Sequence, residues 1–189
     1  MEWYTAAEKF TAALASSDPT PGGGAAAAHA GAMGCALVLM AAGTTLKRKN
    51  TPQAAKERLE KSIRRLTSLK TQLSVYVQKD GEAYSAYITA KKLPKEDPAR
   101  HDAMQQALVF AAGVPADTAT TALEVLKELE NIKPDIAEII MSDIVCAKHL
   151  LQACLRCAVE NIRANLAFIE NEDRKKAVEK QIALFLKSC

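Results

Sequence analysis

What this chain has little of narrows its reading first. Aromatic side chains are only 5% of the 189 residues, with a single tryptophan, so a core must pack through small side chains and closely approaching backbones. Strand signals are nearly absent: no sustained period-two alternation bounded by turns occurs, which argues against β and α/β architectures. The charge excess is slight, 25 basic against 22 acidic residues for a net +3. A nucleic-acid partner usually shows a concentrated basic face, and here the signs are mixed, with "LKRKN" at 46–50 reading as a solvated helix end. The five cysteines are odd in number and lack framework spacing, which points to reduced thiols and a cytoplasmic setting. Cys154 and Cys157 look like half of a zinc motif, yet no second pair exists and zinc takes about four ligands. They read as small core residues. His29, His101 and His149 have no ligand-like spacing, so no metal site is expected.

Nor is there a long run of large apolar residues. The uncharged stretch "AAAAHAGAMGCALVLMAA" at 25–42 owes its apolarity mostly to alanine and glycine and contains His29. A membrane span takes about 20 predominantly apolar residues rich in larger side chains. A buried central helix is expected instead, with no membrane partner. The start "MEWYTAAEKF" has no basic n-region with an apolar run behind it and does not read as a signal peptide.

What is present is helical periodicity. Thr5 with Glu8 forms a capping-box pattern before an apolar face of Ala6, Phe10, Ala13 and Leu14. This helix should end near Ser16 or Ser17, ahead of "DPTPGGG" at 18–24. A second helix is expected from about Ala25 to Leu46. Thr51 and Pro52 suit an N-cap and first turn, opening a long helix to about Lys92 that Pro94 stops. Asp97 and Pro98 should start the next, with Gly113 and Pro115 kinking or dividing it. Pro134 precedes a helix through about Ile169, and Asp173 opens a last one to Leu186. The expected architecture is an all-α bundle of about six helices in a single domain, residues 1–189, with long amphipathic helices that dimerise through helix packing.

Polar residues on apolar stripes are the informative ones. Leu66, Leu69, Leu73, Tyr76, Asp80, Tyr84 and Tyr87 follow steps of three and four, so Asp80 points where the leucines point. Gly81 leaves room beside its carboxylate. A carboxylate on a buried face must be paired, hydrogen-bonded or protonated, and a salt bridge or hydrogen bond locking two helices fits the stripe as well as a catalytic role does. Farther on, Ile136, Ile140, Asp143, Ala147, Leu150, Cys154, Ala158, Asn161, Asn165 and Phe168 run down one side of a helix. Asp143 and Asn161 project alike but lie roughly 27 Å apart along the axis, too far for one acid–base pair within a chain. The glycines at 22–24 would expose backbone N–H groups at a helix start. With no P-loop lysine after them and no strand before them, they read as a loop that something approaches closely.

Taken together, "FTAALASSDPTPGGGAAAA", "DGEAYSAYITAKKLPK" and "SDIVCAKHLLQACLRCAVENIRANL" closely resemble the cyclodeaminase/cyclohydrolase family of folate enzymes. The resemblance covers nearly the whole chain. It implies an all-helical homodimer with a folate groove between helices. The implied reaction is cyclisation of 5-formiminotetrahydrofolate to 5,10-methenyltetrahydrofolate with release of ammonia. The alternative is a methenyltetrahydrofolate cyclohydrolase, interconverting the methenyl compound and 10-formyltetrahydrofolate. A reading from another class is a non-catalytic folate-binding or scaffold homologue. By the same resemblance Asp80 is the catalytic carboxylate. Gly22, Gly23, Gly24, Lys92, Lys95, Ser142, Asp143, Asn161 and Asn165 are the substrate-binding residues. Lys92 and Lys95, helped by Lys47 and Arg48, suit the carboxylates of a folate tail. The partners expected are a tetrahydrofolate derivative, with or without polyglutamate, and a separate formiminotransferase; no cofactor beyond the tetrahydrofolate substrate is implied. The chain departs from the family pattern at Ala25, where serine is common, at "PDIAEIIM" before Ser142, where Gly-Asn is common, and at Tyr84, where phenylalanine is usual.

Overall fold

Small residues let one helix run through the middle of the molecule. In the computed structural model, which describes residues 3–188, that helix is α2 (Gly23–Leu46), and Ala25, Ala28, Cys35, Val38, Ala41 and Ala42 are fully buried. The others are α1 (Trp3–Leu14), α3 (Gln53–Lys91), α4 (Arg100–Ile132), α5 (Met141–Leu166) and α6 (Glu172–Leu186). Among the described residues there is no strand. α2 packs against α3 and α5, and α4 packs against the same two helices from the other side. α3 and α5 therefore face each other across the bundle, with α2 and α4 between them.

Leucines fix the long α3 in place: Leu59, Leu66 and Leu73 are fully buried at steps of seven, and Leu69 nearly so. At 39 residues α3 spans about 58 Å. The close α2–α5 approach depends on glycine. A Cβ on Gly31 would stand 2.8 Å from Cys154 Sγ, and one on Gly34 would stand 2.9 Å from Leu151 Cγ. A buried polar contact ties α3 to α4, where the Ser62 hydroxyl donates to Glu128 Oε1 at 2.5 Å, with Arg65 Nη1 3.6 Å from the other oxygen. α2 is the one described helix long and apolar enough to cross a membrane by composition, and half of its most apolar window is buried by its neighbours.

The helix ends differ from expectation in instructive ways. α1 already includes Trp3, so Thr5 lies inside the helix rather than at its N-cap position. Thr51 is no cap either: its hydroxyl donates to the Thr45 carbonyl at 2.6 Å, tying α3 to the end of α2. The Asp97 carboxylate accepts from Ala99 N–H at 2.8 Å, one turn before α4 begins at Arg100. α4 is neither divided at Gly113 nor ended by Pro115. Residues 133–140 form two short 3₁₀ turns, so α5 begins only at Met141. Asn171 rather than Asp173 caps α6, accepting from Arg174 N–H at 2.9 Å. Cys154 is a core residue, as its place on the stripe suggested, but Cys157 is exposed, because α5 buries the adjacent row of Leu151, Leu155 and Ile162 instead.

Candidate functional site

At the N-terminus of α2, Gly22 supplies no capping side chain, and the first N–H groups of a helix have no partner within it. One is met from another helix: Asp80 Oδ2 on α3 accepts from Ala25 N–H at 2.9 Å. Two influences meet on that carboxyl. Burial raises its pKa above the ordinary aspartate value, and the Ala25 N–H pulls in the opposite direction. Among the described residues no cation pairs with it; of a salt bridge or a hydrogen bond locking two helices, it makes the hydrogen bond, from α2 to α3.

Of the three glycines, Gly24 is required by what it touches. A Cβ on Gly24 would collide with the Asp80 carboxylate, and one on Gly23 would lie 3.4–3.5 Å from the Asn161 amide. Gly22 has looser surroundings, with Pro19 O at 3.6 Å. Gly81 was expected to open space beside Asp80, but its free side faces Thr20, at 3.8 Å or more.

These groups border a cavity of about 340 Å³ between the facing helices. α3 contributes Asp80, Ala83, Tyr84 and Tyr87; α5 contributes Asn161, Ala164 and Asn165, with Phe168 just past its end; the segment at 19–24 and Leu108 and Ala111 of α4 complete it. Phe168 is 66% exposed and Tyr84 38%, leaving an aromatic surface open at the mouth.

The two asparagines are held by their donors. Asn161 Nδ2 donates to Cys157 O at 2.8 Å, and Asn165 Nδ2 donates to Asn161 O at 2.9 Å and to Ala111 O at 3.1 Å. The Ala111 carbonyl is available because the residue four positions later is Pro115, which has no N–H to give it. The proline expected to kink or divide the helix is what leaves that carbonyl for Asn165. A sequence pattern can flag such a pair only as proline at i+4 from an unsatisfied carbonyl, with no hint of which distant side chain answers.

The expected site residues thus divide. Gly22, Gly23, Gly24, Asp80, Asn161 and Asn165 meet at one cavity. Ser142 and Asp143 lie in the first turn of α5, about 27 Å from Asn161, and do not line it. Lys92 caps the end of α3 and Lys95 follows in the turn, about 18 Å along the axis from Asp80. Lys47 and Arg48 follow the far end of α2, about 35 Å from Gly24, and so cannot help Lys92 and Lys95 with one folate tail. Leu108 and Ala111 were not foreseen, since an apolar lining residue looks like any core residue in sequence.

Comparison with known proteins accords with this geometry. A family model described as Formiminotransferase-cyclodeaminase matches residues 6–184. The chain is 34% identical to the methenyltetrahydrofolate cyclohydrolase of Methylorubrum extorquens over 93% of its own length and 88% of that protein's. It is 29% identical to the formimidoyltransferase-cyclodeaminase of Sus scrofa over 95% of its length, but spans only 34% of that longer protein. Its structure is similar to the crystal structure of a formiminotetrahydrofolate cyclodeaminase from Thermotoga maritima, with a TM-score of 0.85 and 26% identity, covering all of this chain and 89% of that one. With the matched region running through every element of the bundle, this chain belongs to the formiminotransferase-cyclodeaminase family.

Proposed function

We propose that the cavity at Asp80 acts on the one-carbon unit of a tetrahydrofolate, and that the reaction is hydrolysis of 5,10-methenyltetrahydrofolate to 10-formyltetrahydrofolate and its reverse. The observation that carries the chemistry is a single half-buried carboxylate, anchored by Ala25 N–H and raised in pKa by burial, in a cavity lined by aromatic rings and amide groups. The choice of reaction is supported by the 34% identity, over most of both chains, to a protein named for it. In this reading Asp80 accepts a proton from water as its oxygen adds to the amidinium carbon. The carbon–N5 bond then breaks; one proton passes to N5 and one to solvent, and the formyl group stays on N10. The carboxylate also offsets the substrate's positive charge.

The structural likeness to a cyclodeaminase supports a second reading on the same residue. There N10 attacks the carbon of the protonated formimino group, Asp80 takes the N10 proton and returns it to the departing nitrogen, and ammonia leaves the methenyl cation behind. Neither route draws on a cofactor beyond the folate, or on a metal. Lys92 and Lys95 suit the carboxylates of the tail at about 18 Å from Asp80. A homodimer belongs to the same reading, and sedimentation equilibrium at a mass near 20.4 kDa would contradict it.

The test is a stopped-flow absorbance assay of the purified chain. Interconversion of methenyl- and 10-formyltetrahydrofolate, abolished in Asp80→Asn, is the expected result. Methenyl formation from 5-formiminotetrahydrofolate with ammonia release would establish the second reading instead. Silence on both substrates, with no thermal shift from a saturating reduced folate, would leave a non-catalytic homologue and overturn the proposal.

A further inference from the structure

The α5 wall of the cavity has a polarity that follows from its hydrogen bonds. Asn165 Nδ2 gives both of its N–H groups to main-chain carbonyls, at 2.9 and 3.1 Å, while Asn161 Nδ2 gives one, at 2.8 Å, and keeps the other. Among the described residues nothing donates to either Oδ1, and neither oxygen is sealed from solvent without a partner. What α5 offers a ligand is therefore a pair of acceptors one helical turn apart, roughly 5–6 Å, with one N–H of Asn161 beside them. Turning either amide over would bring two acceptors together at a carbonyl, so the arrangement is fixed by the chain itself.

Across the cavity stands Asp80, on α3. The two α2 glycines lie between: Gly23 against Asn161 and Gly24 against Asp80. A reduced pterin has unlike edges. Its 2-amino group, N1 and N8–H form a donor–acceptor–donor edge, and its 4-oxo group and N5, which bears the one-carbon unit, stand on the other. A wall of two acceptors and one N–H matches the first edge and is mismatched to the second.

We infer that Asn161 and Asn165 bind the 2-amino and N8–H edge of the tetrahydropterin, and that this contact turns its N5 edge toward Asp80. The inference rests on the folate reading above and adds the orientation of the ring. Asn161 and Asn165 recognise the pterin, and Asp80 is kept for the one-carbon unit. Pro115 is a positioning residue in this scheme, since it frees the Ala111 carbonyl that holds Asn165.

Calorimetric titration with 5-formyltetrahydrofolate and with its 2-desamino-2-methyl analogue tests it. The wild-type chain should prefer the parent compound by about tenfold or more, the effect of an acceptor left without its donor. Asn165→Leu and Asn161→Leu should bind the parent more weakly and lose the preference, while Asp80→Asn keeps it. Should the leucine variants not fold, the wild-type chain's weaker binding of an 8-deaza analogue, which lacks the N8–H, reads the same contact without a substitution. Loss of preference in Asp80→Asn but not in the asparagine variants would assign the aminopyrimidine to Asp80 and overturn this inference alone. A wild-type chain that binds both compounds equally overturns it too, and one that binds neither overturns the folate reading with it.

Discussion

Burial and a single backbone N–H pull the Asp80 carboxyl in opposite directions, and burial is the larger influence. As a base it works only when ionised, so the acid limb of kcat/KM should lie above the ordinary aspartate pKa and vanish in Asp80→Asn, with kcat lower by about 10²–10⁴-fold. Rate–pH profiles of the two proteins check this. Its neighbours grade the crowding. Gly24→Ala places a methyl on the carboxylate and should cost about 1–3 kcal/mol as well as most of the activity. Gly23→Ala meets the Asn161 amide at 3.4–3.5 Å and should act through weaker folate binding, which a KM series will separate from kcat. At this scale the sequence was legible where a polar residue broke an apolar stripe, as at Asp80. It was silent where a main-chain group acted, because Ala25 N–H and Ala111 O have no residue type.

At the scale of elements, a helix defect and a polar contact are coupled. Pro115→Ala restores an N–H that competes with Asn165 for the Ala111 carbonyl. Thermal melting should show a more stable chain, while KM for the folate rises, a pairing that simple stabilisation would not produce. The α2–α5 contact gives an opposite comparison within one helix. Gly31→Ala and Gly34→Ala force Cys154 and Leu151 aside and should each cost about 1–3 kcal/mol. Gly43→Ala meets nothing within 4 Å and should stabilise α2 by roughly 0.5–1 kcal/mol. Denaturant midpoints of the three variants test the contrast. Periodicity located every helix but misjudged their starts. At Thr5 and Thr51 a residue suited to capping lies inside or outside a helix whose true limits depend on tertiary contacts. Pro134 likewise marked only the 3₁₀ turns ahead of α5.

For the whole molecule, two carboxylates give stability opposite dependences on pH. Asp135 is held below the usual carboxylate range by Arg58, whose Nη2 lies 2.5 Å from it. Its contribution is present above the unfolded pKa and is lost as pH falls through the lowered folded value. Asp80 is raised, so it binds its proton more tightly folded than unfolded, and its contribution falls as pH rises from the unfolded pKa through the raised one. Asp80→Asn should remove that second slope and Asp135→Asn should lessen the first, which Glu130, lowered by Lys148, also carries, as urea titrations between pH 3 and about 7 can read. The bundle itself was legible because its helices are long and its loops short. The convergence of Asp80 with Asn161 and Asn165 was not, since stripes on α3 and α5 do not say which ends of two facing helices share a cavity.

The anchor at Ala25 carries a last implication, for descent. A carboxylate held by a neighbouring side chain is hostage to every mutation of that neighbour. Asp80 is held by an amide of the main chain, which every residue except proline possesses. Position 25 can therefore drift between serine and alanine without releasing the carboxylate, whereas position 24, where any Cβ collides with it, cannot drift at all. Tolerance and intolerance sit on adjacent residues, and a saturation library across 22–25 should trace that boundary in surviving turnover.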